Sequence, residues 1–158
     1  MGQGVKVSIK GRKGYKPQQL FKLIEDGIRK RLPARMADTY RDTVVGNINN
    51  NKFGFQLSFD WVQRKERGGY DTRPYIMTGF YRDNITALSE DGHLVVGFKK
   101  KLMHPRAKMP VGQLALVLEY GDLARGLPAR PLWRKSFIQF QQRLKREGAA
   151  MFKSTVIK

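Results

Sequence analysis

Eight apolar residues recur at every fourth position without a miss: Leu20, Ile24, Ile28, Leu32, Met36, Tyr40, Val44 and Ile48. An α-helix turns once in 3.6 residues, so each step of four overshoots by about 40° and seven steps carry the stripe most of the way round a straight rod. One flat core cannot receive all of it. Pro33 resolves the conflict, because a proline lacks the N–H and clashes with the preceding turn, ending or kinking the helix near Leu32. The pattern predicts two successive helices, or one bent helix, wrapped over a sheet. Gly46 and the run Asn47-Ile48-Asn49-Asn50-Asn51 are expected to break it. Arg29-Lys30-Arg31, beside the proline, reads as a solvated face or as a phosphate clamp.

Downstream the period changes. Phe53, Phe55, Leu57, Phe59 and Trp61 alternate with Gly54, Gln56, Ser58 and Asp60, the signal of a strand with one aromatic face. That face is expected in the core; stacking on nucleobases is the alternative. Residues 63–72, polar and carrying Gly68-Gly69, read as a long loop. Tyr75-Ile76-Met77 suggests a short strand, Thr78-Gly79 a turn, and one helical turn follows through Asn84. Thr86-Ala87-Leu88 and residues 93–98 flank Asp91-Gly92, a good hairpin turn. Val5, Val7 and Ile9 alternate in a glycine-rich basic segment, giving an edge strand or, over residues 1–16, a basic arm reaching a neighbour. The sum is one α+β domain over residues 1–158. An antiparallel sheet of about four strands packs against a kinked N-terminal helix pair and two C-terminal helices.

Residues 114–137 carry the most distinctive local chemistry. A helix opened by Pro110 runs through Leu114, Val117 and Leu118 and stops at Glu119-Tyr120-Gly121, where glycine suits a left-handed end. A short polar connection leads into Leu127-Pro128-Ala129-Arg130-Pro131. Each proline fixes its own φ and pushes the residue before it towards extended geometry, and Pro131 is placed to begin a new helix. That last helix is expected to bury Leu132, Phe137, Phe140, Leu144 and Phe152. Arg134 and Lys135 in its first turn oppose the helix dipole, which points to an acidic partner. Glu119 and Arg130 form either an intramolecular contact that locks the connection or a pair across a subunit boundary.

Composition narrows the function. Thirty-one Lys and Arg against thirteen Asp and Glu give a net charge of +18, in blocks rather than evenly spread. Such an excess favours polyanions or acidic protein surfaces, with strong salt dependence. Lys99, Lys100, Lys101, Arg106 and Lys108, with His104 among them, make a basic loop free of acids. There are no cysteines, so thiol chemistry is excluded, and no metal site, catalytic residue or cofactor is expected. The carboxylates show no diagnostic spacing, and neither a phosphate-binding G-x-x-x-x-G-K-[ST] run nor a G-x-S-x-G elbow occurs. With no long apolar run and no secretory leader pattern, a soluble protein made in the cytoplasm, without a membrane partner, is expected.

The order Glu119-Tyr120-Gly121, a short loop, then Pro128-Ala129-Arg130-Pro131 resembles the tailed-phage virion morphogenesis family, the tail-completion or head–tail neck proteins. Thr78-Gly79-Phe80-Tyr81-Arg82-Asp83-Asn84-Ile85 is similar to a second family segment, with Asn84 where serine is commoner. The resemblance covers residues 78–136. It implies a non-enzymatic structural virion protein acting as a homomeric ring of six or twelve copies. That ring would join the portal–adaptor stack to the tail tube or tail terminator. Glu119, Tyr120, Gly121, Pro128, Arg130 and Pro131 would form the subunit-interface elbow, and the 99–108 loop would face packaged DNA or an acidic protein. A monomeric basic nucleic-acid-binding protein is the alternative.

Overall fold

The computed structural model describes residues 17–76, 78–90 and 93–156. The expected strand or arm at residues 1–16, Met77 and the Asp91-Gly92 turn lie outside them. Helix α1, Pro17–Asp26, passes through a π-helical turn, Gly27–Arg31, into α2, Leu32–Asn49. The N–H of Leu32 reaches back five residues to the Gly27 carbonyl, so the ladder widens just ahead of Pro33. A π-turn is one way to accommodate the proline's missing donor and its clash with the preceding turn. The stripe drifts as its arithmetic requires. Tyr40, Val44 and Ile48 are buried, whereas Ile28 is exposed, and Ala37 and Asn47 take over part of the buried face. Gly46 does not break the helix, which continues to Asn49 with Asn50 as its C-cap.

Residues 54–58 form no strand, Gly54 having a positive φ of 63°, and α3, Phe59–Arg67, begins at the residue where the strand was expected to continue. The alternation is real over its first half, since Phe53 and Phe55 pack against the core. It fails over the second, where Phe59 is 74% exposed on a helix. The expected 63–72 loop therefore shrinks to residues 68–72. Local charge explains the helix: Asp60 lies in its first turn and Arg64, Lys65 and Arg67 in its last, both favourable to the dipole. Residues 75–76 form no strand either. After α4, Phe80–Asp83, strands β1, Thr86–Glu90, and β2, His93–Gly97, pair antiparallel from Thr86 opposite Gly97 to Glu90 opposite His93. The sheet thus has two strands among the described residues, not about four.

Helix α5, Val111–Tyr120, and the 25-residue α6, Leu132–Val156, complete the domain. The inner hairpin face (Leu94 and Val96) packs with α2 and α6 around Val44, Ile48, Leu132 and Phe140. Polar bonds along α6 hold this layer in register. Asn47 Nδ2 donates to Ser136 Oγ and Gln139 Oε1, each at 2.9 Å, and Tyr40 Oη to the Trp133 carbonyl at 3.0 Å. Trp133 Nε1 donates to Tyr81 Oη at 3.0 Å, tying α4 to the same helix. Phe137, expected in the core, is 41% exposed; the buried positions are Leu132, Ser136, Phe140, Met151 and Thr155, with Leu144 and Phe152 half-buried.

Candidate functional site

The elbow between α5 and α6 is closed by backbone. Asp122 and Leu127 exchange N–H···O bonds at 2.9 Å each around a 3-10 turn, Leu123–Arg125. Asp122 Oδ1 also accepts the Arg125 N–H at 3.2 Å, as a turn-forming aspartate does. The chain then doubles back so that the Arg130 N–H donates to the Leu118 carbonyl at 2.7 Å, in the last turn of α5. Gly121 sits at φ 80°, ψ 176° rather than in the left-handed helical well expected of it. Glu119-Tyr120-Gly121 and Pro128-Ala129-Arg130-Pro131 are thereby brought together.

Glu119 and Arg130 meet the same elbow in different ways, and among the described residues they do not form an ion pair. The Glu119 carboxylate is buried and accepts two backbone N–H groups of α6: Trp133 to Oε2 at 2.9 Å and Arg134 to Oε1 at 3.0 Å. It supplies from within the chain the acid that Arg134 and Lys135 had pointed to on a partner. Arg130 is 9% exposed and lines a different cavity from Glu119. Its Nη2 donates to the Gln56 carbonyl at 3.4 Å and its Nε has no hydrogen-bond partner among the described residues. The Arg130 carbonyl accepts from Tyr75 Oη and, at 2.7 Å, from the Leu132 N–H. Pro128 and Tyr120 are exposed and Pro131 half-buried.

Arg130 faces a cavity of about 250 Å³ whose other wall comes from α3 and residues 74–76. Lys65, 6% exposed, donates from Nζ to the carbonyls of Arg73 and Ile76, both at 2.6 Å. Burial pushes its ammonium below the usual lysine range; the Asp71 charge opposes this, and the Arg130 charge adds to it more weakly. Tyr75 holds a positive φ of 64°, an uncommon conformation for a bulky side chain and one that clusters at functional sites. Its phenol is pushed far up by burial. Lys65, Trp61 and Tyr75 were not legible as site residues. The signal available was helical, Ser58 followed by Asp60 and a basic last turn, and it would have moved Lys65 out of a loop.

The basic loop is a second, separate arrangement. An isolated bridge between Met103 and Pro110 closes it, and the Lys108 N–H bonds to the His104 carbonyl at 3.1 Å. Lys99, Lys100, Lys101, Arg106 and Lys108 are exposed, and none of them forms an ion pair among the described residues. Arg106 stacks 4.4 Å from the centroid of the Tyr70 ring, pinning the loop to the 68–72 segment that follows α3. His104 lines the Arg130 cavity, and its Nδ1 accepts the N–H groups of Arg106 at 3.3 Å and Ala107 at 3.0 Å.

Burial, then the Arg106 charge, lower the His104 pKa. The folded value lies below the unfolded one of about 6.5, so stability is full above that pH and declines as pH falls through the lowered value. Asp71, held down to about 2 chiefly by its bond from Arg73, stays ionised throughout this range. Urea midpoints should therefore be lower at pH 5 than at pH 7.5. His104→Gln, whose amide oxygen accepts at either pH, should show a smaller drop; an equal drop in both proteins would remove His104 as the cause.

Among the described residues, no group of three or more His, Asp or Glu side chains is placed to hold a metal ion, and no helix is long and apolar enough to cross a membrane. A third surface lies beside the elbow. Leu116, Tyr120 and Phe137, exposed by 59%, 72% and 41%, rim a groove of about 470 Å³ between β2, α5 and α6. No family model, curated protein or solved structure matches this chain.

Proposed function

We propose that this chain is a structural subunit of a tailed-phage neck, a tail-completion protein whose copies close into a ring of six or twelve between the portal–adaptor stack and the tail tube or terminator. The observation that carries the reading is the apolar rim of Leu116, Tyr120 and Phe137 on a chain of net charge +18. Clustered exposed apolar side chains mark interaction surfaces, and here they surround a groove between three elements rather than a lone residue. The elbow sets the rim's geometry: Glu119 fixes the start of α6, which carries Phe137, to the end of α5, which carries Tyr120. In this reading Glu119, Gly121, Pro128, Arg130 and Pro131 orient the interface, and Tyr120 enters it. The virion neck is its location, and the chain performs no catalysis.

One feature favours a second reading, a monomeric nucleic-acid-binding protein: the five exposed cations of the 99–108 loop, none in an ion pair among the described residues. In a ring the same loop would face packaged DNA or an acidic neighbour, where charge complementarity sets register and association rate.

Light scattering and negative-stain imaging of the purified chain in 0.3 M salt separate the two. The expected result is a ring of six- or twelvefold mass, reduced to a folded monomer by Leu116→Asp with Tyr120→Asp. A chain that stays monomeric at high concentration would sink the neck reading. The second reading would then require duplex affinity whose logarithm falls against log salt with a slope of about −4 to −5, from five phosphate contacts.

A further inference from the structure

We infer that the cavity between α3, the Tyr75 turn and the elbow is a binding site for a carboxylate carried on an apolar body, with Arg130 and Lys65 as its cationic floor. This inference stands apart from the ring reading. Arg130 keeps its charge at any accessible pH, yet it is buried with one long bond and an unpartnered Nε. Lys65 is buried beside it and uses two of its three ammonium donors on carbonyls. Neither cation has a carboxylate within ion-pair distance among the described residues. The acid whose charge acts on Lys65, Asp71, is already engaged by Arg73, whose Nε and Nη2 donate to its two carboxylate oxygens.

Two buried cations facing one cavity, with no carboxylate within ion-pair distance of either among the described residues, are a costly arrangement that a bound anion relieves. The guanidinium's planar fork matches a carboxylate, and this one spends only Nη2, in a bond of 3.4 Å, on the protein's own groups among the described residues. The remaining walls select the rest of the ligand. Leu57, Trp61 and Tyr75 line the space, and His104 offers its ring with Nδ1 already taken by backbone donors. The volume, about 250 Å³, exceeds the roughly 150 Å³ of an apolar cavity that accepts benzene. A small aliphatic or aromatic acid fits this chemistry, and so does an acidic side chain or chain end presented by a second copy.

The test uses the full chain, ¹⁵N-labelled, with sodium benzoate as probe and sodium chloride and inorganic phosphate at matched ionic strength as controls. Benzoate should move the Arg130 Nε–H and Trp61 indole N–H resonances saturably and raise Tm, with neither effect in chloride. Arg130→Lys keeps the charge and loses the fork, and should weaken binding by about tenfold or more; Lys65→Met should also weaken it. If Lys65→Met does not fold, Arg130→Lys carries the comparison. A saturable response stronger in phosphate than in benzoate would replace the carboxylate assignment. Light scattering of any assembled form at saturating benzoate then separates the sources. Loss of mass means that a carboxylate of a neighbouring copy occupies the cavity, and unchanged mass means a free small acid. No saturable response in the native chain, or one undiminished in both variants, overturns the inference.

Discussion

Glu119→Ala is expected to destabilise the domain by about 3 kcal/mol, because two part-buried backbone donors lose a charged acceptor at about 1–3 kcal/mol each. The donors at the start of α6 can be followed one by one. Pro131 has none, the Leu132 N–H bonds to the Arg130 carbonyl, and the Trp133 and Arg134 N–H groups both go to Glu119. Lys135 makes only a long bond, 3.4 Å, to the Pro131 carbonyl. A helix start leaves its first N–H groups without intrahelical partners, and here a residue on a different helix satisfies two of them. It also places a negative charge at the positive end of the dipole, among the cations Arg134 and Lys135. Urea unfolding followed by helical circular dichroism should show the midpoint falling at constant slope. Glu119→Gln, which retains a neutral acceptor, should lose roughly half as much. A loss below about 0.5 kcal/mol for Glu119→Ala, the range of an ordinary surface substitution, would mean that water serves these donors as well.

The second large effect is expected at Gly121. Its φ of 80° and ψ of 176° lie in a region that is essentially glycine's alone. A Cβ there would stand 2.7 Å from the Leu127 carbonyl oxygen and 2.8 Å from the Ala129 nitrogen, both backbone atoms that cannot rotate away. Strain of about 1–3 kcal/mol and overpacking of a similar size put Gly121→Ala near 4 kcal/mol. The damage should be local before it is global. Exchange of the Arg130 amide, bonded at 2.7 Å to the Leu118 carbonyl, should accelerate by about three orders of magnitude, the equivalent of that energy. Gly126→Ala is the matched control. Gly126 also has positive φ, 64°, but nothing lies within 4 Å of its Cβ position, so about 1–2 kcal/mol is expected. Equal effects at the two glycines would show that conformation, not close approach, governs the elbow.

Both residues stood out in the sequence, but for partly different reasons. Gly121 was legible because a helix end followed by a proline-rich segment is a local signal. The carboxylate of Glu119 was legible as important and not as a cap, since its partners lie 14 and 15 residues on and carry no mark in their side chains. The basic loop could be read directly, because exposure is the ordinary state of lysine. Lys65 could not, because nothing in Arg64-Lys65-Glu66-Arg67 says which cation turns inward.

Alternation at residues 53–61 shows the same divide within one segment. Period two records which side chains face a surface, and Phe53 and Phe55 do face the core. Whether the backbone then joins a ladder depends on a partner strand, and among the described residues none lies beside 54–58. The stripe of α1 and α2 was read correctly as too long for one core, since that follows from helical pitch alone.

What the amino-acid order determined by itself was set by near neighbours: the drift of the α1–α2 stripe, the disturbance of the helix beside Pro33, the pairing of β1 with β2 and the charge blocks, but not α3 or the passage of α2 through Gly46. The tertiary structure alone decided which groups meet across distance, namely Glu119 with the start of α6, Lys65 with Arg130 around a cavity, and Phe137 with Tyr120 at a groove rim. The physical reason is range. Backbone sterics and helix pitch act over a few residues, whereas burial and counter-charge depend on the packing of segments far apart in the chain.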